Sequence, residues 1–562
     1  MPSSFQGVSE LPYICHEYGV AHAVISPGSR NAPLIIAFTS HPHINCISIT
    51  DERSAAYYAL GMAQQLKKPV ALICTSGTAM INYSPALAEA YYMNIPLVAI
   101  TADRPPEWID QNDGQTIRQK ELYSNFIKGS FQTPVETEKQ EDLWFFHRMI
   151  SEALNVAVAP LPGPVHINMP LREPLYEPLP EVDLNNFRII KTTPVTPTTS
   201  SVQVEMLKSK WQNYEKRLII CGMGNHDPVL AEVLTSIVNN DQAVVIAENL
   251  SNLKVDGSIE TPDSFMASLG QDDLVSFRPD LLITCGGAVL SKKLKRFLRE
   301  YQPGEHWHFG PNAYLTDTFQ SLNLVVDSDP AELFTSVSQE GASGSVYVVF
   351  ARNKNITLMQ LHRGLFDEMM FSDMVAYQLL LENIPENSSL HLANSTPVRY
   401  SQLFTTRAGI GYYSNRGTSG IDGCISTAAG AAMVSGEMHI ALAGDLAFIY
   451  DSNALWNNKL PPNLRVIVID NGGGNIFRLI DTSPVINPIR EFFETPHNVD
   501  IKKLCEAYHV DYYFADNKES LVENINPFFK PNGRPAVLHI ITSGEASSRT
   551  FKQYYQFISQ KK

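Results

Sequence analysis

The chain has 562 residues, 44% of them hydrophobic and 18% charged. That composition is globular and excludes collagen-like, coiled-coil and wholly disordered architectures, and the length allows three or four domains of about 150 residues each. With 43 basic against 58 acidic residues the net charge is −15, which argues against nucleic acid or an anionic membrane as the main partner, since both require a basic face.

The seven cysteines are scattered and never fall in a C-x-x-C. Neither a disulfide framework nor a zinc site is expected, and a reducing compartment fits. The N-terminus shows no basic segment followed by an apolar one, and no run of about 18 apolar residues occurs, so a soluble cytoplasmic protein is expected.

In chain order, AVIS (23–26) precedes a Pro-Gly turn and a helical stretch from Asn31, and ISIT (47–50) runs into DERSAAYYALGMAQQL. PVALICTS (69–76) and PLVAITAD (96–103) follow, separated by a helical pattern. The middle repeats the alternation with strands at 217–224, 242–249, 280–287 and 322–329, and the last part with strands at 438–445, 464–471 and 535–542. Short apolar runs alternating with longer helical patterns indicate βαβ units and parallel sheets. Thr192–Ser201, nearly all Thr, Pro and Ser, and Gln339–Ser345 read as linkers. The expected fold is α/β, with three doubly wound parallel-sheet domains at 1–190, 202–338 and 346–562.

Ligands of such sheets lie beyond the carboxyl ends of the strands, so the polar residues there are the candidates. Gly444-Asp445 ends one strand and Asn471-Gly472-Gly473-Gly474 ends the next. A carboxylate and an amide oxygen on neighbouring strand ends suit Mg²⁺, with glycines free to turn a carbonyl inward. The same spacing is equally compatible with a helix-capping Asp and a glycine turn. Glu52, at a strand–helix junction, by position alone fits a carboxylate that favours a helix N-terminus better than a functional acid. Arg30, Arg104, Arg399 and Arg416, flanked by Gly, Pro and Ser, together with Lys292 and Lys293, suggest a carboxylate-binding pocket in an acidic chain, provided that the fold brings them together. His41 and His43 have no partner at metal-ligand spacing, and no G-x-S-x-G nucleophile elbow occurs.

The motifs SPGSRNAPL, DERSAAYYALG, TSGTA, TADRPPE with GQTIRQ, NSTPVR, NRGTSGIDG, GDLAFIYDSNAL and NGGGNIF occur in this order. Together they resemble the thiamine-diphosphate-dependent decarboxylase superfamily, and within it the branch that serves menaquinone biosynthesis. The likeness spans essentially the whole chain and is weakest in the middle. It implies a pyrimidine-binding domain, a central domain and a diphosphate-binding domain, in a homodimer or dimer of dimers with active sites between subunits. It implies that Asp445, Asn471 and the Gly473 carbonyl hold Mg²⁺, or Mn²⁺ in its place, on the cofactor diphosphate, beside Gly444 and Leu446. The superfamily's usual G-D-G is G-D-L here, a change which that branch shares. Ile421 would bend the cofactor and Glu52 would pair with its pyrimidine. Ser29, Arg30, Arg104, Gln115, Lys292, Ser395 and Arg399 would contact substrate, Ser395 also bordering the cofactor. Arg416, Ile476 and Phe477 would line the pocket. Lys293 stands where relatives carry Arg. The implied reaction joins 2-oxoglutarate to isochorismate with loss of CO₂, adding a succinyl semialdehyde unit by 1,4-addition. The residues by themselves leave open another thiamine-diphosphate enzyme acting on a 2-oxoacid, of decarboxylase or acetolactate synthase type, or an inactive binding protein of the same fold.

Overall fold

The structure is a computed structural model that describes residues 5–184, 187–193, 200–310, 315–339, 344–363, 365–366, 369–479 and 491–560. Most of both expected linkers, 194–199 and 340–343, lies outside the described residues.

Three parallel sheets carry the chain. The first holds β1 (His22–Ile25), β2 (Asn45–Ser48), β3 (Val70–Cys74), β4 (Leu97–Asp103), β5 (Gly129–Gln132) and β6 (Val165–Pro170), in the order β2-β1-β3-β4-β6-β5. The second holds β7 (Arg217–Cys221), β8 (Val244–Ala247), β9 (Leu281–Cys285), β10 (Glu305–Phe309) and β11 (Leu324–Val326), in the order β11-β10-β9-β7-β8. The third holds β12 (Ser388–Leu392), β13 (Ile410–Tyr413), β14 (Met438–Gly444), β15 (Leu464–Asp470), β16 (Asp511–Ala515) and β17 (Ala536–Ile541), in the order β13-β12-β14-β15-β17-β16. The first and third sheets thus share one topology. In each, the chain reverses direction across the sheet between its first and third strands, which opens a crevice at their carboxyl ends. Every strand of the sequence reading is present. β5, β6, β10, β12, β13 and β16 are additional.

The strands run buried on both faces: all of Val70–Cys74 and Leu97–Asp103 are buried, as sheets covered by helices on both sides require. The Glu52–Leu66 helix is capped by Asp51, whose side chain accepts from the Ser54 N–H. It packs along the Cys424–Met433 helix of the last sheet. A Cβ on Gly61 would come within 1.9 Å of the Thr427 carbonyl oxygen, and one on Gly430 within 2.1 Å of the Tyr58 carbonyl oxygen. Glycine at both positions therefore permits the close approach of the two helices. Tyr57 donates to Asp422, Tyr58 to the Ala454 carbonyl and Asn453 to Asp51. One apolar core is shared by the first and third units, and another by the second and third.

All seven cysteines are free thiols. Cys221 and Cys285 face each other across β7 and β9 with Sγ atoms 3.6 Å apart. No helix among the described residues is long and apolar enough to cross a membrane.

Candidate active site

β14 and β15 are hydrogen-bonded neighbours, Gly444 opposite Ile469, so Asp445 and Asn471 emerge side by side. Asp445 opens the Asp445–Tyr450 helix and is buried. Its Oδ1 accepts from the Leu446 N–H and its Oδ2 from the Gly473 N–H, each at 2.7 Å. Gly473 has φ +131°, and a Cβ there would lie 2.2 Å from the Glu494 carbonyl oxygen. Only glycine fits that turn. Asn471 donates its amide N–H to Asp373 at 2.8 Å, which leaves the amide oxygen for a ligand.

Two further groups stand at this point that the motifs did not reveal. Asp470 and His497 bring ligand atoms within 4.8 Å of Asp445 and of one another, His497 Nε2 lying 3.3 Å from Asp445 Oδ2. Burial, with Asp470 adding repulsion, pushes the Asp445 carboxyl up to about 6. Burial acts the same way on Asp470, but hydrogen bonds from His539 and the Gly472 N–H hold it below the usual carboxylate range. A crowded set of carboxylate and amide oxygens is the donor chemistry that Mg²⁺ prefers, and a single imidazole extends it to Mn²⁺. The residues fit a divalent cation.

Beside this cluster, Ser395 follows β12 at φ +76°, ψ −123°, a backbone state that side chains disfavour and that concentrates at functional sites. Asn394 donates to the Asn415 and Gly420 carbonyls and accepts from Arg416 at 2.7 Å. It thereby fixes the loop that carries Arg416 and half-buried Ile421. Glu89, from the first unit, clamps the same loop by accepting from the N–H groups of Gly417 and Thr418, each at 2.7 Å. Ile476 and Phe477 lie on the short Ile476–Leu479 helix, with the Phe477 ring against Phe493.

The cationic residues form two groups. Arg399 and Arg416 lie close enough to repel. Burial first, and then Arg399, draws the Arg416 guanidinium down, and burial also lowers Arg399. Lys292 begins the Lys292–Glu300 helix, whose N-terminus is held by buried Glu248 through the Leu290 and Ser291 N–H groups at 2.5 and 2.7 Å. Lys292 opens on a cavity of about 500 Å³ shared with Lys295, Arg296, Arg299 and Glu300. Lys295, unnoticed in the sequence, is lowered mainly by burial and also feels Arg416 and Lys292. Lys293 turns away, its ammonium 4.2 Å from the centre of the Tyr555 ring.

The second group lies in the first unit. Arg30 is buried after β1 and donates to the Leu171 carbonyl at 3.0 Å. Arg104 pairs with Asp113 and donates to the Gly114 carbonyl. Both reach Glu173. Ser29 precedes Arg30 in that loop. Gln115, at φ +54°, lies against Gly77 of the TSGTA turn. Behind them Gln119 donates to the Ala102 carbonyl and to Asn168, and accepts from the Gly77 N–H.

Glu52 is half-buried and accepts from Asn82 at 3.3 Å, within its own unit. Its neighbour Arg53 reaches the Tyr450 carbonyl and ring instead. Among the described residues no hydrogen bond or ion pair joins Glu52 to Asp445, Asp470, Asn471 or His497.

Two family models match the chain: "Thiamine pyrophosphate enzyme, N-terminal TPP binding domain" over residues 7–122 and "Thiamine pyrophosphate enzyme, C-terminal TPP binding domain" over residues 395–540. With the paired sheets of like topology and the acidic cluster after β14, they define a thiamine-diphosphate enzyme. Full-length relatives narrow this class. A 2-succinyl-5-enolpyruvyl-6-hydroxy-3-cyclohexene-1-carboxylate (SEPHCHC) synthase of Christiangramia forsetii is 39% identical, with 97% of each chain covered. Another, of Cytophaga hutchinsonii, is 39% identical over 99% of each, and one of Bacteroides thetaiotaomicron is 35% identical over all of both. The chain belongs to the SEPHCHC synthase family.

Proposed function

We propose that the protein decarboxylates 2-oxoglutarate on thiamine diphosphate and adds the succinyl semialdehyde unit to isochorismate by 1,4-addition, releasing SEPHCHC and CO₂ for menaquinone biosynthesis. The near-complete coverage of SEPHCHC synthases at 35–39% identity carries this reading. Residues 1–190 are the pyrimidine-binding domain, 202–338 the central domain and 346–562 the diphosphate-binding domain.

The cofactor supplies a carbon nucleophile and an electron sink for loss of CO₂. The chain's residues place it and receive the substrates. Asp445, Asn471 and the Gly473 carbonyl would hold Mg²⁺, or Mn²⁺ in its place, and the cation would neutralise the diphosphate charge. Gly444, Leu446 and Ser395 border the diphosphate end. Ile421, Ile476 and Phe477 supply apolar surface around the reacting atoms, which excludes water. Glu52 holds a proton at a pyrimidine ring nitrogen. Both substrates are dianions, so Ser29, Arg30, Arg104, Gln115, Lys292, Arg399 and Arg416 divide their carboxylates between the two cationic groups.

Glu52 is bonded to Asn82 of its own unit and, among the described residues, to no member of the acidic cluster after β14. That placement supports a site completed by a second copy, in a homodimer or dimer of dimers. Free thiols throughout support a cytoplasmic setting.

The test is a mass-spectrometric assay of purified protein with thiamine diphosphate, 2-oxoglutarate and isochorismate, with and without Mg²⁺. SEPHCHC should form with Mg²⁺ and fall sharply after chelation. Ready consumption of pyruvate with none of 2-oxoglutarate plus isochorismate would overturn the assignment.

A further inference from the structure

Glu173 follows β6 on an exposed segment, its side chain 69% accessible. Its Oε1 nevertheless lies 3.0 Å from Arg30 Nη2 and 3.5 Å from Arg104 Nη1. Arg30 is only 6% accessible at its side chain, and among the described residues Glu173 is its one ion-pair partner. With only the Leu171 carbonyl as acceptor the buried guanidinium would keep an uncompensated charge, which is unfavourable, so an anion is favoured at this point. Arg104 keeps its place without Glu173, because Asp113 at 3.1 Å and the Gly114 carbonyl at 3.2 Å hold its other edge.

We infer that Glu173 is an internal stand-in for a substrate carboxylate: it neutralises Arg30 and Arg104 when no substrate is present and must swing out before a dicarboxylate can dock. The inference rests on the reading that these two arginines receive substrate. One carboxylate oxygen shared by two guanidinium groups occupies the position that an incoming carboxylate requires. Glu173 is well hydrated once released and the incoming carboxylate takes its place on Arg30, so the exchange costs only a few-fold in binding. A dianion with contacts elsewhere displaces it. A small monoanion with none competes poorly, so Glu173 discriminates against acetate-like ions. It acts as a specificity residue through the arginines.

Steady-state kinetics of the cofactor-loaded enzyme test this. Glu173→Gln should lower the apparent KM for one of the two dicarboxylates about 2- to 5-fold, with the KM for the other and kcat within 2-fold. Acetate should inhibit Glu173→Gln more strongly than the parent enzyme. Glu173→Asp should restore the parent KM. Titration calorimetry of isochorismate into enzyme lacking 2-oxoglutarate gives a readout free of turnover, and the dissociation constant should tighten if isochorismate is the occupant. Glu136→Gln, which removes one of the two carboxylates paired with Arg172 on the same surface and leaves Glu107 in place, should change neither KM. An unchanged or raised KM for both substrates in Glu173→Gln would overturn the inference. If Arg104→Ala still raises a KM in that case, the substrate role of the arginines stands and only the stand-in fails. If Arg104→Ala changes no KM, the reading beneath it fails as well.

Discussion

The Gly473 N–H donates to Asp445 Oδ2 at 2.7 Å, so the loops after two neighbouring strands are tied together by the carboxylate that also faces Asp470 and His497. One side chain thus serves both the loop and the proposed cation. Asp445→Asn largely separates the two roles: the amide oxygen can still accept from Gly473, while the charge and the second acceptor, that for the Leu446 N–H, are gone. The variant should fold with a melting temperature near that of the parent apo-protein. Its affinity for thiamine diphosphate in the presence of Mg²⁺ should drop about 10- to 100-fold, the loss of a charged contact. Calorimetry with and without Mg²⁺ checks this, and cofactor affinity equal to the parent's would remove Asp445 from the metal site.

Glu52→Gln should leave cofactor binding intact and lower kcat by about 10²- to 10⁴-fold, the usual share of a group that manages a proton. Exchange of the cofactor's C2 proton, followed by NMR, should slow in step. The placement of Glu52 beside Asn82, away from the acidic cluster of its own chain, adds a sharper test. Neither Glu52→Gln nor Asp445→Ala should be active alone. Mixed dimers of the two would contain one site in which both residues are native, provided that each site draws on both chains. Co-expression should therefore restore activity to about a quarter of the parent's. No recovery, despite mixed dimers demonstrated by tagged purification, would show that each site is built within one chain.

Sequence patterns were most legible where burial is uniform. β3 is wholly apolar and β4, β14 and β15 each keep four or more apolar residues in a row, and the Asp and Asn at the carboxyl ends of β14 and β15 turned out to be neighbours in space. β6, β10 and β12 stayed hidden because no three apolar residues run together in VHINMP, EHWHF or SSLHL, where the buried His166, His306 and His391 interrupt; β14 and β17 also carry a buried histidine but keep the longer runs IALA and AVL. These rings are accommodated by hydrogen bonds that no local pattern announces: His166 and His306 to the hydroxyls of Thr101 and Thr284, and His391 to His439. His497 was missed for another reason, whereas Asp470 stands in view directly before Asn471 and only its part in the cluster was not read. His497 reaches Asp445 from 52 residues away, and its role is set by where the chain returns. The arginines were recognisable as a set, but their division into two groups depends on domain packing.

The Lys292-Lys293 pair shows how helix geometry separates adjacent residues. Successive positions on a helix point about 100° apart, so two neighbours can present their side chains to different surroundings. Lys292 does, while Lys293 lies over Tyr555. Lys292→Ala should raise a substrate KM about 10-fold or more with little effect on stability. Lys293→Ala should leave both KM values unchanged and cost about 0.5–1 kcal/mol of stability through the lost cation–π contact. Kinetics and thermal melts on the two variants check the contrast, and a KM effect in Lys293→Ala would contradict the orientation described.

His391 and His439 lie on adjacent strands with Nε2 and Nδ1 3.0 Å apart. Burial, and for His391 also its partner, holds His391 well below its ordinary value, and burial brings His439 down to about 4. Both rings are therefore neutral in the folded protein at pH 7, one donating and the other accepting. Unfolding releases them to an ordinary value near 6.5, so the unfolded chain takes up protons first as pH falls. Their contribution to stability is complete above about pH 6.5 and is lost as pH drops from there toward 4. The loss amounts to at most about 1.4 kcal/mol per pH unit for each ring. His391→Asn removes one of the two protons while keeping a group able to hydrogen-bond His439. Its stability in urea should fall less steeply than the parent's between pH 6.5 and 5, by about one proton's worth of slope. An identical slope in the two proteins would mean that His391 is already charged in the fold.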